Sequence, residues 1–390
     1  MSIIPDGRLT DLSYDEMQRY SRHLILPEVG VAGQKRLKAA KVLVVGTGGL
    51  GAPLALYLAA AGVGTLGLVD FDTVESSNLQ RQIIHSTRHI GHNKVDSARD
   101  RVEGLNPAIQ VVTHHTRLAS DNAMEILGGY DVVADGTDNY QTRYLINDVC
   151  VLLGIPNVYG AIFQFEGQAS VFDAKNGPCY RCLYPVPPPP GSVPSCGEAG
   201  VLGVLPGIVG TIQACEVIKL IVGSGSVGGM LTGRLLLFDA WRMQFREWAL
   251  EKDPDCPVCG KHPSILAPID YEQFCGLTRA DDDPITQITA KALKVRLDKG
   301  DAIQLIDVRE SREQEIFPFV GAKPIPFGEL ALRKEEFDPA VDAVFICKIG
   351  QRSMYAIRVL QSAGYTGNML NLQGGSNAWV QDVDADAVAY

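Results

Sequence analysis

The stretch Lys41-Val42-Leu43-Val44-Val45-Gly46-Thr47-Gly48-Gly49-Leu50-Gly51 decides the fold of this chain. Its aliphatic run predicts a buried parallel strand over Val42–Val45, and the glycines predict a tight turn into a helix over Ala52–Ala61. Thr65–Val69 reads as a second buried strand ending at Asp70, and Tyr130–Ala134 as a third, ending at Asp135-Gly136-Thr137-Asp138-Asn139. Strands alternating with helices predict an α/β fold with a doubly wound, Rossmann-like parallel sheet. Ligands of such sheets sit at the carboxyl ends of the strands, where Gly46, Asp70 and Asp138 fall. Val42–Val69 contains no charged residue and is long enough to cross a bilayer. Its glycines divide it instead into strand, turn, helix and strand, all buried.

Working outward, 390 residues exceed one ordinary domain, so two are expected. Gly276–Pro284, with Asp281–Asp283, is polar and ends on a turn signal, which places a linker at 277–283 between domains at 1–276 and 284–390. Beyond it the pattern restarts, with strands over Ile303–Ile306 and Val344–Ile346. Pro185–Pro194 holds six prolines in ten residues and excludes helix or interior strand. Ser13 and Glu16 have the spacing of a capping box. A hydrophobic fraction of 46% with 21% charged residues excludes a disordered chain. The net charge of −10 argues against nucleic acid or an anionic membrane as partner. The first 40 residues carry no apolar run, so a cytoplasmic location and reduced thiols are expected for the nine cysteines.

Gly46-Thr47-Gly48-Gly49-Leu50-Gly51 is a G-x-G-x-x-G between strand and helix, where backbone and helix N-terminus favour a phosphate. Asp70 stands where an acidic residue binds ribose hydroxyls. The motif alone says adenine nucleotide, not which one. Arg81 and Lys94 narrow the choice. A hydride-transfer enzyme has no need of two further cations near the phosphates, whereas nucleotidyl transfer builds charge on the α-phosphate and the leaving pyrophosphate. Asp138 has the chemistry to hold Mg²⁺.

Together GTGGLG, VDFDTVESSNLQRQ, the lysine of GHNK, and DGTDN resemble the adenylation site of the MoeB/ThiF family, relatives of the ubiquitin-activating enzymes. The resemblance runs from about Arg19 to Asp255. It implies a domain of the ubiquitin-activating-enzyme type that binds ATP and magnesium through Gly49, Asp70, Ser77, Asn78, Leu79, Gln80, Arg81, Lys94, Asp138 and Asn139. It also implies a homodimer in which Arg22 reaches the partner subunit's nucleotide.

Cys179-Tyr180-Arg181-Cys182 and Cys256-Pro257-Val258-Cys259 supply four thiols, the ligand set of a closed tetrahedral Zn²⁺ site. Their separation exceeds that of a zinc ribbon, and either pair alone could be a redox disulfide. The same tetrad occurs in many MoeB/ThiF relatives, which implies structural zinc. Cys196 follows the proline run and matches the position of the acyl-accepting loop cysteine of the ubiquitin-activating relatives; an inert loop thiol is the other reading. Cys150, Cys215 and Cys275 are expected to be packing residues.

In the second domain, Cys347-Lys348-Ile349-Gly350-Gln351-Arg352-Ser353 ends a strand and enters a helix. Convergent amides, the helix dipole and Arg352 would stabilise a thiolate at Cys347. The C-x4-R loop is one residue shorter than that of cysteine phosphatases and suits a persulfide. With Asp307-Val308-Arg309 and Leu372-Gln373-Gly374-Gly375 it resembles the rhodanese sulfurtransferases over about Pro284–Trp379. Lys348 stands where Arg is frequent, and the histidine usual after the Asp-Val-Arg motif is missing.

The two resemblances imply a fused adenylyltransferase and sulfurtransferase. Its substrate would be a ubiquitin-like sulfur carrier ending in Gly-Gly, and its sulfur source a persulfide or thiosulfate. The carrier could serve molybdopterin, thiamin, cysteine or tRNA thiolation. Two alternatives are an NAD-dependent oxidoreductase fused to a sulfur-binding module, disfavoured by Arg81, Lys94 and Asp138, and a non-catalytic sulfur sensor, disfavoured by Cys347 and Arg352.

Overall fold

A computed structural model of the chain describes residues 2–189, 193, 196–223, 229–276, 285–384 and 387. The expected linker, 277–283, lies outside the described residues. The chain divides into two compact units, the larger built almost entirely from residues up to Cys275 and the smaller from Gly276 onward.

The larger unit contains β1 (Lys41–Val45), β2 (Thr65–Val69), β3 (Gln110–His114), β4 (Val132–Asp135), β5 (Asn157–Phe163), β6 (Glu166–Phe172), β7 (Arg234–Asp239) and β8 (Gln244–Ala249). They form one sheet in the order β3-β2-β1-β4-β5-β6-β7-β8. The first five strands run parallel and the last three add antiparallel hairpins. The run Val42-Leu43-Val44-Val45 suits a central strand because both its faces are covered, and all four residues are buried. The helices Gly51–Ala61 and Leu205–Val222 share one of these cores, in which Leu54, Leu58, Leu66 and Leu68 are wholly enclosed. Each such leucine contributes about 1.5–3 kcal/mol. Leu205–Val222 is long and apolar enough to cross a membrane, but most of it is buried against the sheet as a core helix.

The chain leaves β1 for β2 on one side and later returns to β4 on the other. This reversal of strand order opens a crevice at the carboxyl ends. Val45 pairs with both Val69 and Asp135, so Gly46, Asp70 and Gly136 lie side by side at that end. Ser13 caps the helix Tyr14–Arg19 by exchanging hydrogen bonds with Glu16, as its spacing predicts.

The smaller unit is a five-stranded parallel sheet, ordered β11-β10-β12-β13-β9. Its strands are β9 (Thr286–Ile288), β10 (Ile303–Asp307), β11 (Lys323–Pro324), β12 (Asp342–Ile346) and β13 (Met369–Leu372). Apolar clusters cover both faces. The buried β12 runs down the middle, so Cys347, the next residue, emerges at the carboxyl end of the sheet.

Candidate active site

The glycine turn is closed by contacts that only glycine permits. Gly46 has φ +86°, and a Cβ there would stand 2.9 Å from the Gly136 carbonyl oxygen; one on Gly51 would strike the Gly46 carbonyl oxygen. The turn is braced from β2. Asp70 Oδ2 accepts from the Thr47 amide at 2.9 Å and the Thr47 hydroxyl at 3.0 Å, and Oδ1 accepts from the Asp72 amide. Oδ2 of the residue expected at the ribose thus braces the glycine turn, and Oδ1 holds the backbone just beyond β2.

His85, which the motifs did not single out, supports the turn from beneath. Its Nε2 lies 3.0 Å from the Thr47 carbonyl oxygen and its Nδ1 2.9 Å from Ser97 Oγ. A carbonyl can only accept, so Nε2 carries the proton and Nδ1 accepts from Ser97. Burial, aided by the nearby Lys94 charge, lowers the His85 pKa to about 4, and the ring is neutral at pH 7.

Lys94 opens the helix Lys94–Leu105, its side chain largely buried and its Nζ 2.8 Å from Asp72 Oδ2. Arg81 donates from Nη1 to the Ser77 carbonyl at 3.3 Å and lies beside Gly49, its Cγ 3.6 Å from where a Cβ would stand. Just before Arg81, Ser77 and Gln80 are exposed and Leu79 is half-buried, whereas Asn78 is buried and accepts from the Glu75 amide. Asp138 and Asn139 are exposed beyond β4, and Asn139 Oδ1 caps the helix Tyr140–Leu153 through the Thr142 amide. Arg22 is exposed on the short helix Ser21–Leu24. The turn with Gly48, Asp70, Arg81, Lys94 and Asp138 thus gathers at one end of the sheet.

The four thiols of Cys179, Cys182, Cys256 and Cys259 converge, with all ligand atoms within 4.8 Å of one another. The Sγ–Sγ separations are 3.9 Å for Cys179–Cys182, 3.6 Å for Cys179–Cys256 and 3.4 Å for Cys182–Cys259. A zinc ion with bonds of about 2.3 Å to four sulfurs sets them about 3.8 Å apart, so the cluster fits a metal. Val258, Val151 and Ile265 pack around it. None of the four is in a disulfide in this structure. Cys150 and Cys275 are buried as expected, but Cys215 is exposed, because it lies on the outward side of its helix rather than in the core. Cys196 opens the helix Cys196–Ala199, and its side chain lies outside the described residues.

In the smaller unit Cys347 is wholly buried, and its Sγ accepts from the Gly350 amide at 3.1 Å. The Cys347 loop is clamped from the first turn of the helix Gly375–Asp382, which follows β13. The amides of Ser376 and Asn377 donate to the carbonyls of Cys347 and Lys348, and a Cβ on Gly375 would collide with the Cys347 carbonyl oxygen. This explains the paired glycines of Leu372-Gln373-Gly374-Gly375. Arg309 is fully buried and forms a bidentate pair with Asp307, so the Asp-Val-Arg motif is structural. Arg352, expected beside the thiol, turns its guanidinium to Glu313, with Nη1 2.6 Å from Oε2 and both side chains buried.

These features define a carboxylate-adenylating fold of the ubiquitin-activating type joined to a sulfurtransferase fold. The chain belongs to the ThiF family, which matches residues 20–258, and residues 289–382 match the rhodanese-like domain. It is 49% identical to the probable adenylyltransferase/sulfurtransferase MoeZ of Mycobacterium tuberculosis over 391 residues, 97% of this chain and 96% of that protein. It is 44% identical to the adenylyltransferase and sulfurtransferase MOCS3 of Culex quinquefasciatus, over 98% of this chain and 91% of that protein. The crystal structure of E. coli MccB with ATP shares the fold, with TM-score 0.56 and 20% identity over 66% of this chain and 77% of that one. The chain is therefore an enzyme, an adenylyltransferase and a sulfurtransferase in one polypeptide. The oxidoreductase and sensor readings fall with that result.

Proposed function

We propose that the larger unit adenylates the C-terminal carboxylate of a ubiquitin-like sulfur carrier ending in Gly-Gly. The smaller unit then supplies sulfur from Cys347 to give a thiocarboxylate. The observation that carries this reading is the gathering of the glycine turn, Arg81, Lys94 and Asp138 at one sheet end, in a chain that also buries Cys347 in an amide-lined loop.

A free carboxylate is a poor electrophile because its negative charge repels a nucleophile. Attack of a carboxylate oxygen on the ATP α-phosphorus releases pyrophosphate and leaves an acyl-adenylate. Its AMP is a good leaving group. Gly46, Gly48, Gly49 and Gly51 admit the phosphates to the backbone. Arg81 and Lys94 offset the charge that develops on the α-phosphate and pyrophosphate. Ser77, Asn78, Leu79, Gln80 and Asn139 line the nucleotide, and Asp70, which also braces the turn, meets the ribose hydroxyls. Asp138 would hold Mg²⁺, which when bound neutralises phosphate charge. Arg22 would serve the partner subunit's nucleotide in a homodimer.

Thiolate attack by Cys347 on the outer sulfur of thiosulfate or a persulfide forms a new S–S bond. The donor's S–S bond breaks and its electron pair leaves with sulfite or thiolate. The outer sulfur of the Cys347 persulfide would then displace AMP from the acyl-adenylate, giving an acyl persulfide. Cys196 would act later, on the acyl group or on this perthiocarboxylate. In the second case its thiolate attacks Cys347 Sγ, the thiocarboxylate leaves with the S–S electron pair, and the disulfide left behind is opened by a thiol reductant. The four-cysteine cluster would hold structural Zn²⁺, and the enzyme would work in the cytoplasm. Intact mass of candidate carriers after incubation with enzyme, ATP and thiosulfate tests the reading. Replacement of one oxygen by sulfur supports it. A carrier set that is never modified, by an enzyme active in thiosulfate:cyanide transfer, overturns it.

A further inference from the structure

A line of hydrogen-bonded side chains runs from the sheet edge to Cys347, and its polarity can be read from one end. Gln287, on the edge strand β9, places Nε2 3.2 Å from the Ile285 carbonyl, which can only accept. Its Oε1 therefore faces inward and accepts from Asn371 Nδ2 at 2.6 Å. Asn371 must then turn Oδ1 toward Ser353 Oγ, 2.5 Å away. Ser353 Oγ lies 3.3 Å from Cys347 Sγ and 3.2 Å from the Gly350 carbonyl oxygen. Cys347, Ser353 and Asn371 are all buried, so no bulk water supplies substitute partners.

The Ser353 hydroxyl has one proton and competing acceptors. When Cys347 is a thiol, the chain is complete: S–H donates to Ser353 Oγ, and Ser353 donates to Asn371. When charge builds on Sγ, the Ser353 proton is wanted there, and turning to sulfur leaves Asn371 Oδ1 without it. Both sulfur-transfer steps place charge on Sγ. The attacking Sγ is a thiolate, and when a nucleophile such as cyanide takes the outer sulfur, the S–S electron pair returns to Sγ.

We propose that Asn371 is a positioning residue for sulfur transfer, holding the Ser353 hydroxyl proton in reserve and releasing it to Cys347 Sγ only when charge appears there. This rests on Cys347 as the sulfur-carrying residue. The charged groups on the surrounding elements are Lys348 in the loop, Arg352 with Glu313, and Asp307 with Arg309. The variants below leave all of them in place.

The test is single-turnover persulfide formation at Cys347 from excess thiosulfate across pH in the full chain, read as gain of one sulfur on the Cys347 peptide. Asn371→Leu removes the acceptor nearest the Ser353 proton, leaving it to the Cys347 thiolate in preference to the neutral Gly350 carbonyl, and moves the profile to lower pH by about half to one unit, the worth of one hydrogen bond. Ser353→Ala moves it to higher pH. The double variant matches Ser353→Ala, because Asn371 acts only through Ser353. Gln287→Leu, at an exposed edge position, frees the Asn371 amide to rotate and moves the profile as Asn371→Leu does, so a folding defect in the buried variant does not remove the test. An unmoved profile in both Asn371→Leu and Gln287→Leu, or additive shifts in the double variant, overturns the proposal alone. Absence of sulfur on wild-type Cys347 overturns the Cys347 assignment with it.

Discussion

Arg181 and Asp148 form a fully enclosed bidentate ion pair, with Nε 2.8 Å from Oδ1 and Nη2 2.8 Å from Oδ2. The Tyr271 hydroxyl donates to the same Oδ2 at 2.9 Å, and the guanidinium lies over the rings of Tyr144 and Phe274. Arg181 sits between the two cysteines of the first C-x-x-C pair. The pair thus fastens the cysteine cluster to the helix Tyr140–Leu153, which starts beside Asp138 at the nucleotide end of the sheet.

Arg181→Ala leaves Asp148 buried without its countercharge and lowers unfolding free energy by about 3–5 kcal/mol in urea titrations. The pair Arg181→Met with Asp148→Leu recovers most of that loss, since no lone charge remains. Metal analysis of purified protein is expected to find one zinc per chain, and Cys256→Ser to lose both metal and stability, because binding and folding are coupled. A zinc-free Cys256→Ser protein as stable as wild type would show that the cluster holds no structural metal.

Lys94→Ala and Asp138→Ala each slow carrier-dependent ATP–pyrophosphate exchange about 100-fold or more. Thiosulfate:cyanide transfer in both variants stays at the wild-type rate, since neither residue belongs to the unit that carries Cys347. Wild-type exchange in Lys94→Ala would remove the lysine from the chemistry.

Cys347→Ala abolishes thiosulfate:cyanide transfer and thiosulfate-fed thiocarboxylate formation, and leaves pyrophosphate exchange intact. Inorganic sulfide at high concentration restores thiocarboxylate in that variant, because free sulfide attacks the adenylate directly. Cys196→Ala spares both partial reactions and at most slows the complete one. Mass spectrometry of the carrier together with the two partial assays separates these outcomes.

His85 is held neutral by burial, with its pKa lowered from 6.5 to about 4. The unfolded chain binds a proton at this residue between those values and the folded chain does not. The stabilisation is therefore complete above pH 6.5 and is lost as pH falls toward 4, up to about 3 kcal/mol. His85→Gln flattens this part of the stability–pH curve, measured as urea midpoints at pH 7 and pH 5. An equal fall in wild type and variant would place the acid sensitivity elsewhere.

Much of this enzyme was legible from local pattern. The aliphatic run before Gly46 could only be a central strand, and glycines at Gly46 and Gly51 mark a backbone approach too close for any Cβ. Two C-x-x-C pairs marked four candidate ligands, and a cysteine between a strand end and a helix start marked a candidate thiolate, although the spacing of the pairs left a disulfide open. Partners distant in sequence were not legible. Glu313 neutralises Arg352 from another helix, His85 supports Thr47 across a loop, and Asn371 reaches Ser353 from a neighbouring strand.

The sequence by itself determined the class of fold, the division into an adenylating and a sulfur-carrying part, and which side chains bear chemistry. The fold class follows from periodicity and short-range backbone sterics; the two activities and the expected roles of the side chains follow from the resemblance of the motifs to the MoeB/ThiF and rhodanese families. Only the tertiary structure decided what those side chains face. It brought two cysteine pairs separated by a long helix and two strands into one cluster, hydrogen-bonded Asp70 to the glycine turn and paired Arg352 with Glu313. The reason is that a buried charge or hydrogen-bonding group must find a partner wherever packing supplies one, and strand order, not sequence distance, sets who is near.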